Sequence, residues 1–104
     1  MKGGVFYGKG IRELKEEEPD LYTLAESLSN VCYDGQVLDY KTQKLIAIGI
    51  EASKSDDRAI RQQMISTMQE LGATKEEIMD VLRVVLITSG MPAFNKAVKI
   101  LNSI

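Results

Sequence analysis

Apolar residues recur at helical spacing along most of this chain. Leu21, Leu24, Leu28 and Val31 follow one another at intervals of three and four, which sets them on one face of a helix from Pro19 to about Cys32. That face is expected to point inward. Proline at the first helical position is well placed, because it has no N–H to leave unsatisfied there, and Asp34-Gly35 is a turn signal that ends the helix. Before it, Ile11 to Glu18 reads as a short charged helix whose Lys15-Glu16-Glu17-Glu18 run is a solvated face.

Asp39 is a good N-cap for a third helix, Tyr40 to about Ala52, whose Leu45-Ile46-Ala47-Ile48-Gly49-Ile50 stretch is apolar on every side and so belongs in the middle of the domain. Ser55 to Asp57 supply caps for a fourth helix with Ile60, Met64, Met68 and Leu71 in a narrow stripe, and Gly72 terminates it as a left-handed C-cap. Thr74-Lys75-Glu76-Glu77 is a capping box: the Thr74 hydroxyl and the Glu77 carboxylate each satisfy a free backbone N–H at the start of helix five. Ile78, Val81, Leu82, Val85 and Leu86 form the inner face of that helix, and Val84 and Ile87 widen its apolar arc beyond what one partner helix covers. Ser89-Gly90-Met91-Pro92 is a corner, after which Phe94, Ala97, Val98, Leu101 and Ile104 line the last helix.

The sequence therefore predicts an all-α bundle of about six helices. The first ten residues stand apart: Gly3, Gly4, Gly8 and Gly10 around Val5, Phe6 and Tyr7 read as a flexible arm that docks on a neighbouring subunit. Gly8-Lys9-Gly10 lacks the preceding strand and longer spacing of a phosphate cradle.

At 104 residues the chain forms a single domain over 1–104, with one core of moderate size that burial between subunits would reinforce. Thirteen basic and fifteen acidic side chains leave the surface slightly negative, which disfavours nucleic acid and anionic membranes as partners. A lone cysteine, the absence of a long apolar run and the absence of a signal pattern point to the cytoplasm. With no histidine and one cysteine, histidine-based and dithiol chemistry are excluded, and no metal site is supported. No cofactor is expected.

Three motifs in order carry a family resemblance over residues 38–101: Leu38-Asp39-Tyr40-Lys41-Thr42-Gln43-Lys44-Leu45-Ile46, then Gly72-Ala73-Thr74-Lys75-Glu76-Glu77-Ile78, then Gly90-Met91-Pro92-Ala93. The chain resembles the carboxymuconolactone decarboxylase and alkylhydroperoxidase D superfamily of small all-helical proteins. The resemblance implies self-association as a homotrimer or homohexamer. The peroxidase branch has a Cys-x-x-Cys-x-x-x-His motif and an earlier glutamate; matched back from Gly72, Asp57 and Ile60 stand at the cysteine positions, Met64 at the histidine and Lys44 near the glutamate. The family's reactive set is replaced.

Several candidate site residues remain. Cys32 is either a one-cysteine peroxidatic centre or a small buried apolar residue. Glu51, on an otherwise apolar helix, is either a proton-transfer carboxylate or a solvated helix end. Asp57 and Arg61 lie four apart with Arg58 beside them, so the two arginines can hold a carboxylate-bearing substrate while Asp57 or Glu51 moves a proton; a cap with a surface ion pair accounts for the same residues. Met64 is either core packing or the floor of an apolar substrate pocket. Three functions follow: a family member with an altered active site that binds, and decarboxylates or shuttles protons on, a small carboxylate-bearing molecule; an antioxidant protein of peroxiredoxin type, acting in oxygen detoxification through Cys32; and a non-catalytic oligomeric scaffold.

Overall fold

The computed structural model describes all of residues 1–104 and contains six helices and no strand: α1 Gly4–Glu17, α2 Pro19–Cys32, α3 Tyr40–Lys54, α4 Asp57–Leu71, α5 Lys75–Ser89 and α6 Met91–Asn102. The helix starts follow from local chemistry. Asp39 caps α3 by accepting from the Thr42 N–H, Asp56 caps α4 by accepting from Ala59, and Thr74 and Glu77 form both bonds of the capping box at α5. Gly72 takes the left-handed conformation that ends α4, at φ 66°, and Pro19 and Pro92 sit in the first turns of α2 and α6.

Helices α3 to α6 make the core. α3 packs on α4, α5 and α6, and α6 also packs on α4 and α5. Their shared interior holds Ile48, Ala52, Ile60, Met64, Ile78, Leu82, Val85, Ala97 and Leu101. α3 is central as expected, yet it is not buried all round. Ile48 and Ala52 face inward while Ile46 and Ile50 are about half exposed, because the surrounding helices cover one side only.

The amino-terminal third departs from the sequence reading in two places. α1 begins at Gly4 rather than near Ile11, so the glycine-rich start is helical instead of an irregular arm; the break falls at Gly8, with φ 72° and ψ −153°. Glycine weakens a helix by only about 1 kcal/mol per residue, which hydrogen bonds to the rest of the chain offset here. α1 lies on α4, and α2 packs mainly on α1.

The second correction concerns α2. Its stripe Leu21, Leu24, Leu28 and Val31 is 53, 68, 67 and 73% exposed, so it points away from the core. Tyr22, Ala25, Glu26 and the buried Ser29 form the face turned to the chain instead. Periodicity identifies an amphipathic helix but not what its apolar face meets. The radius of gyration, 14.2 Å, exceeds the roughly 13 Å usual for this length, in keeping with a protruding helix pair.

Candidate functional site

Two regions carry chemistry. The first is a polar cluster between α3, α4 and the amino-terminal segment. Lys44, one turn into α3, is fully buried, and its Nζ donates to Gln63 Oε1 on α4 at 2.6 Å. Its charge lies over two aromatic faces, 5.4 Å from the Tyr33 ring centroid and 5.7 Å from that of Phe6. Burial lowers the Lys44 pKa to about 8, against the pull of the Glu70 charge, which raises it.

Glu70, near the end of α4, fixes the amino terminus. Its carboxylate accepts from Tyr40 Oη at 2.5 Å, Ser66 Oγ at 2.8 Å, and the backbone N–H groups of Gly3 at 3.2 Å and Val5 at 3.4 Å. Burial works to raise the Glu70 pKa, but those hydrogen bonds and the Lys44 charge outweigh it and hold the group below its usual range. Tyr40 is pushed well above the ordinary phenol value, first by burial and then by its bond to the Glu70 carboxylate. Tyr33 is raised for the same first reason, opposed by its hydrogen bond with Gln63.

The second region is an open groove of about 580 Å³ between α4 and α6, lined by Asp57, Arg61, Pro92, Asn95, Lys96, Lys99, Ile100 and Ser103. Lys96 donates to Asp57 Oδ1 at 3.0 Å and to the Ser55 carbonyl at 3.1 Å. Arg61 and Lys99 bring two further positive charges to the same groove, leaving it net cationic.

The structure separates the sequence-derived candidates. Asp57 and Arg61 share this groove, but Asp57 pairs with Lys96 instead of Arg61. Arg58 turns away and lines a different cleft, of about 250 Å³, with Phe6, Tyr7, Asp56, Ala59 and Gln62, so the two arginines do not converge. Positions three apart on an α-helix differ by about 60° in direction, and here that difference sets Arg61 toward α6 and Arg58 toward the cleft beside Phe6. Glu51 is mostly covered and stands 3.9 Å from Lys54 at the carboxy-terminal end of α3, away from that groove.

Met64 is fully buried in the core, the packing alternative, and lines none of the surface cavities. Cys32 is exposed at the end of α2 rather than buried. The Lys44–Gln63 pair escaped sequence reading because a lysine in a capped amphipathic helix ordinarily lies outside. The one available signal was its place near the family's glutamate position.

Comparison with known proteins adds to this geometry. The family model for the carboxymuconolactone decarboxylase family matches residues 19–103, which takes in α2 as well as the 38–101 span of the motifs. Two uncharacterized proteins of Methanocaldococcus jannaschii are similar to the chain. One is 61% identical over 104 residues and covers 100% of both chains. The other is 39% identical over 89 residues, 86% of this chain and 82% of its own length.

Proposed function

Because the chain belongs to the carboxymuconolactone decarboxylase family, we propose that it is a self-associating member with an altered reactive set, binding a small carboxylate-bearing molecule in the groove between α4 and α6. The observation that carries this reading is Arg61, which faces the groove with no carboxylate ion-paired to it while Lys96 is already engaged by Asp57. A guanidinium offers two parallel N–H donors to an incoming carboxylate, and Lys99 adds a second positive charge. Asp57, held by Lys96 at the start of α4, is the group placed to accept a proton from a carbon of the bound acid. Proton transfer, or loss of carbon dioxide followed by protonation of the carbanion, is the chemistry such a groove serves.

Titrating the protein with 2-oxoglutarate and with a γ-lactone carboxylate, followed by calorimetry, tests this. Arg61→Ala is expected to weaken binding about tenfold, the effect of losing one charge-assisted pair, whereas Arg58→Ala leaves it unchanged. Equal affinity in the wild type and Arg61→Ala overturns the assignment.

Self-association rests on a separate observation. Ile46 and Ile50 of α3 and Val84 of α5 border an apolar groove of about 560 Å³, Ile87 is 84% exposed, and the α2 stripe is uncovered. Apolar surface on this scale marks an interaction face, and we assign its cover to further copies of the chain, as a homotrimer or homohexamer. Light scattering should give three or six times the chain mass, and a monomer at micromolar concentration overturns it. A scaffold without catalysis draws on the same faces and stands if no acid binds. The antioxidant reading draws on the exposure of Cys32, and a thiol unmoved by peroxide eliminates it.

A further inference from the structure

Lys44 is unusual among the charged side chains of this protein. It is the only buried lysine, no carboxylate lies within ion-pairing distance of it, and its one hydrogen-bond partner is the neutral amide of Gln63. Placing an ammonium group there is costly, and a lysine serving stability alone is normally paired. Groups kept in so unfavourable a setting cluster at reactive sites.

What lies above Lys44 matters as much. Phe6, on the amino-terminal segment, covers Nζ with its ring. That segment is bounded by two glycines in the left-handed region, Gly3 at φ 74° and Gly8 at φ 72°, and the helix is broken at the second. No atom lies within 4 Å of where a Gly8 side chain would stand, so the break sits in open space. α1 buries none of its residues. Clefts flank the segment on both sides, one of about 250 Å³ beside Phe6, Tyr7 and Arg58, the other of about 420 Å³ beside Val5, Ile11 and Glu70. Lys44 lines neither cleft; its Nζ is covered by the Tyr33 ring and by Phe6, and the segment carrying Phe6 is broken at Gly8 on one side and latched on the other by the Gly3 and Val5 N–H groups on Glu70 and Tyr40.

We infer that Lys44 is a reactive amine that condenses with a small carbonyl compound, with residues 1–7 as the movable cover of its site. The uncharged Nζ attacks the carbonyl carbon, a C–N bond forms, and the carbonyl oxygen departs as water with the two hydrogens of the amine. One amine and one carbonyl thus give one imine and one water, with no oxidant or reductant required. Gln63 Oε1 accepts an N–H from Nζ and so aims the lone pair of the uncharged amine. Burial supplies the uncharged form near neutrality, as in other amine nucleophiles. This site lies apart from the Arg61 groove and stands or falls independently of it.

The test is reductive trapping on the intact wild-type chain: glyoxylate with cyanoborohydride at pH 7.5, then peptide mapping by mass spectrometry. An amine with a pKa near 8 holds on the order of a hundredfold more uncharged form than an ordinary lysine at that pH. The carboxymethyl adduct is therefore expected on Lys44 at least about tenfold faster than on the exposed Lys9, Lys54 or Lys99. Phe6→Ala should accelerate trapping at Lys44 several-fold and leave the surface lysines unchanged. Adducts on the surface lysines with Lys44 unmodified in the wild type overturn the reactive amine. Equal Lys44 rates in the wild type and Phe6→Ala overturn the cover. Both readouts use folded protein, so neither depends on a Lys44 variant folding.

Discussion

The two parts of this molecule secure their helices by different means. From α3 to α6, every helix contributes apolar side chains to one interior. Among residues 1–39, only Gly3 and Ser29 are buried, and the leucines of α2 face outward. The amino-terminal part is held by polar latches: Ser29 Oγ donates to the Lys2 carbonyl at 2.5 Å, the Lys2 N–H to Asn30 at 2.9 Å, the Gly3 N–H to Tyr40 Oη at 2.7 Å, and Gly3 and Val5 to Glu70. Hydrogen bonds contribute about 1 kcal/mol each in net terms, whereas a fully buried aliphatic side chain contributes about 1.5–3 kcal/mol. The carboxy-terminal four helices thus share an apolar interior, whereas the leucines of α2 stay exposed and the first two helices are tied on by hydrogen bonds.

Substitutions should separate these two modes. The largest effect is expected inside the core, where Leu82→Ala removes a fully buried side chain and should cost about 3 kcal/mol in urea unfolding. A cost below about 1 kcal/mol would mean that the four-helix interior is not the dominant source of stability. Next, Glu70→Ala strips the acceptor from four donors at once and should cost about 2 kcal/mol. It should also raise amide exchange in residues 1–7 while α5 and α6 stay protected; uniform protection would show that the polar latch is dispensable.

Alkaline pH probes the junction between the two parts. Lys44 has a pKa of about 8 when folded, against 10.5 for an ordinary lysine, so between these the unfolded chain binds more protons and stability rises with pH, by on the order of 2 kcal/mol. Tyr33 and Tyr40 act oppositely: their folded values lie above the usual 10, so the folded chain keeps protons that the unfolded chain releases, and stability falls above pH 10. Melting temperature should therefore peak near pH 10, and Lys44→Met should flatten the rising limb.

Smaller still, Thr74→Ala removes the cap of α5 and should cost about 1 kcal/mol within the core part. The smallest change should come from Leu24→Ala, within about 0.5 kcal/mol for the isolated chain, because Leu24 is already solvated. The same change should weaken association measurably by sedimentation, and an unaltered assembly would remove α2 from the interface.

The same division explains what could be read from the sequence. Helix ends are written locally, so Asp39, Gly72, the Thr74–Glu77 box and the Gly90–Pro92 corner all stand where short-range chemistry put them. The outward excess at Val84 and Ile87 was legible for the same reason. The direction of the α2 stripe was not, since a pattern of leucines is identical whether it meets its own core or something else. The helicity of Gly4–Gly8 depends on bonds to Glu70, 65 or more residues away, and no local propensity encodes them. Likewise Lys44 meets Gln63 across 19 residues, and Asp57 finds Lys96 rather than its helical neighbour Arg61. Contacts between helices decided the site, while contacts within helices decided where the helices begin and end.

The turn joining the two parts is tight. A methyl group on Gly35 would sit 1.7 Å from the Leu38 carbonyl oxygen, an overlap that only backbone rearrangement could relieve, and Gln43 Nε2 reaches back across the turn to the Cys32 carbonyl at 2.9 Å. A side chain at Gly35 would therefore push on the approach to α3, whose first turn carries Gln43 and, one residue on, Lys44, so the most exposed turn of the molecule and its most concealed charge are neighbours in the chain.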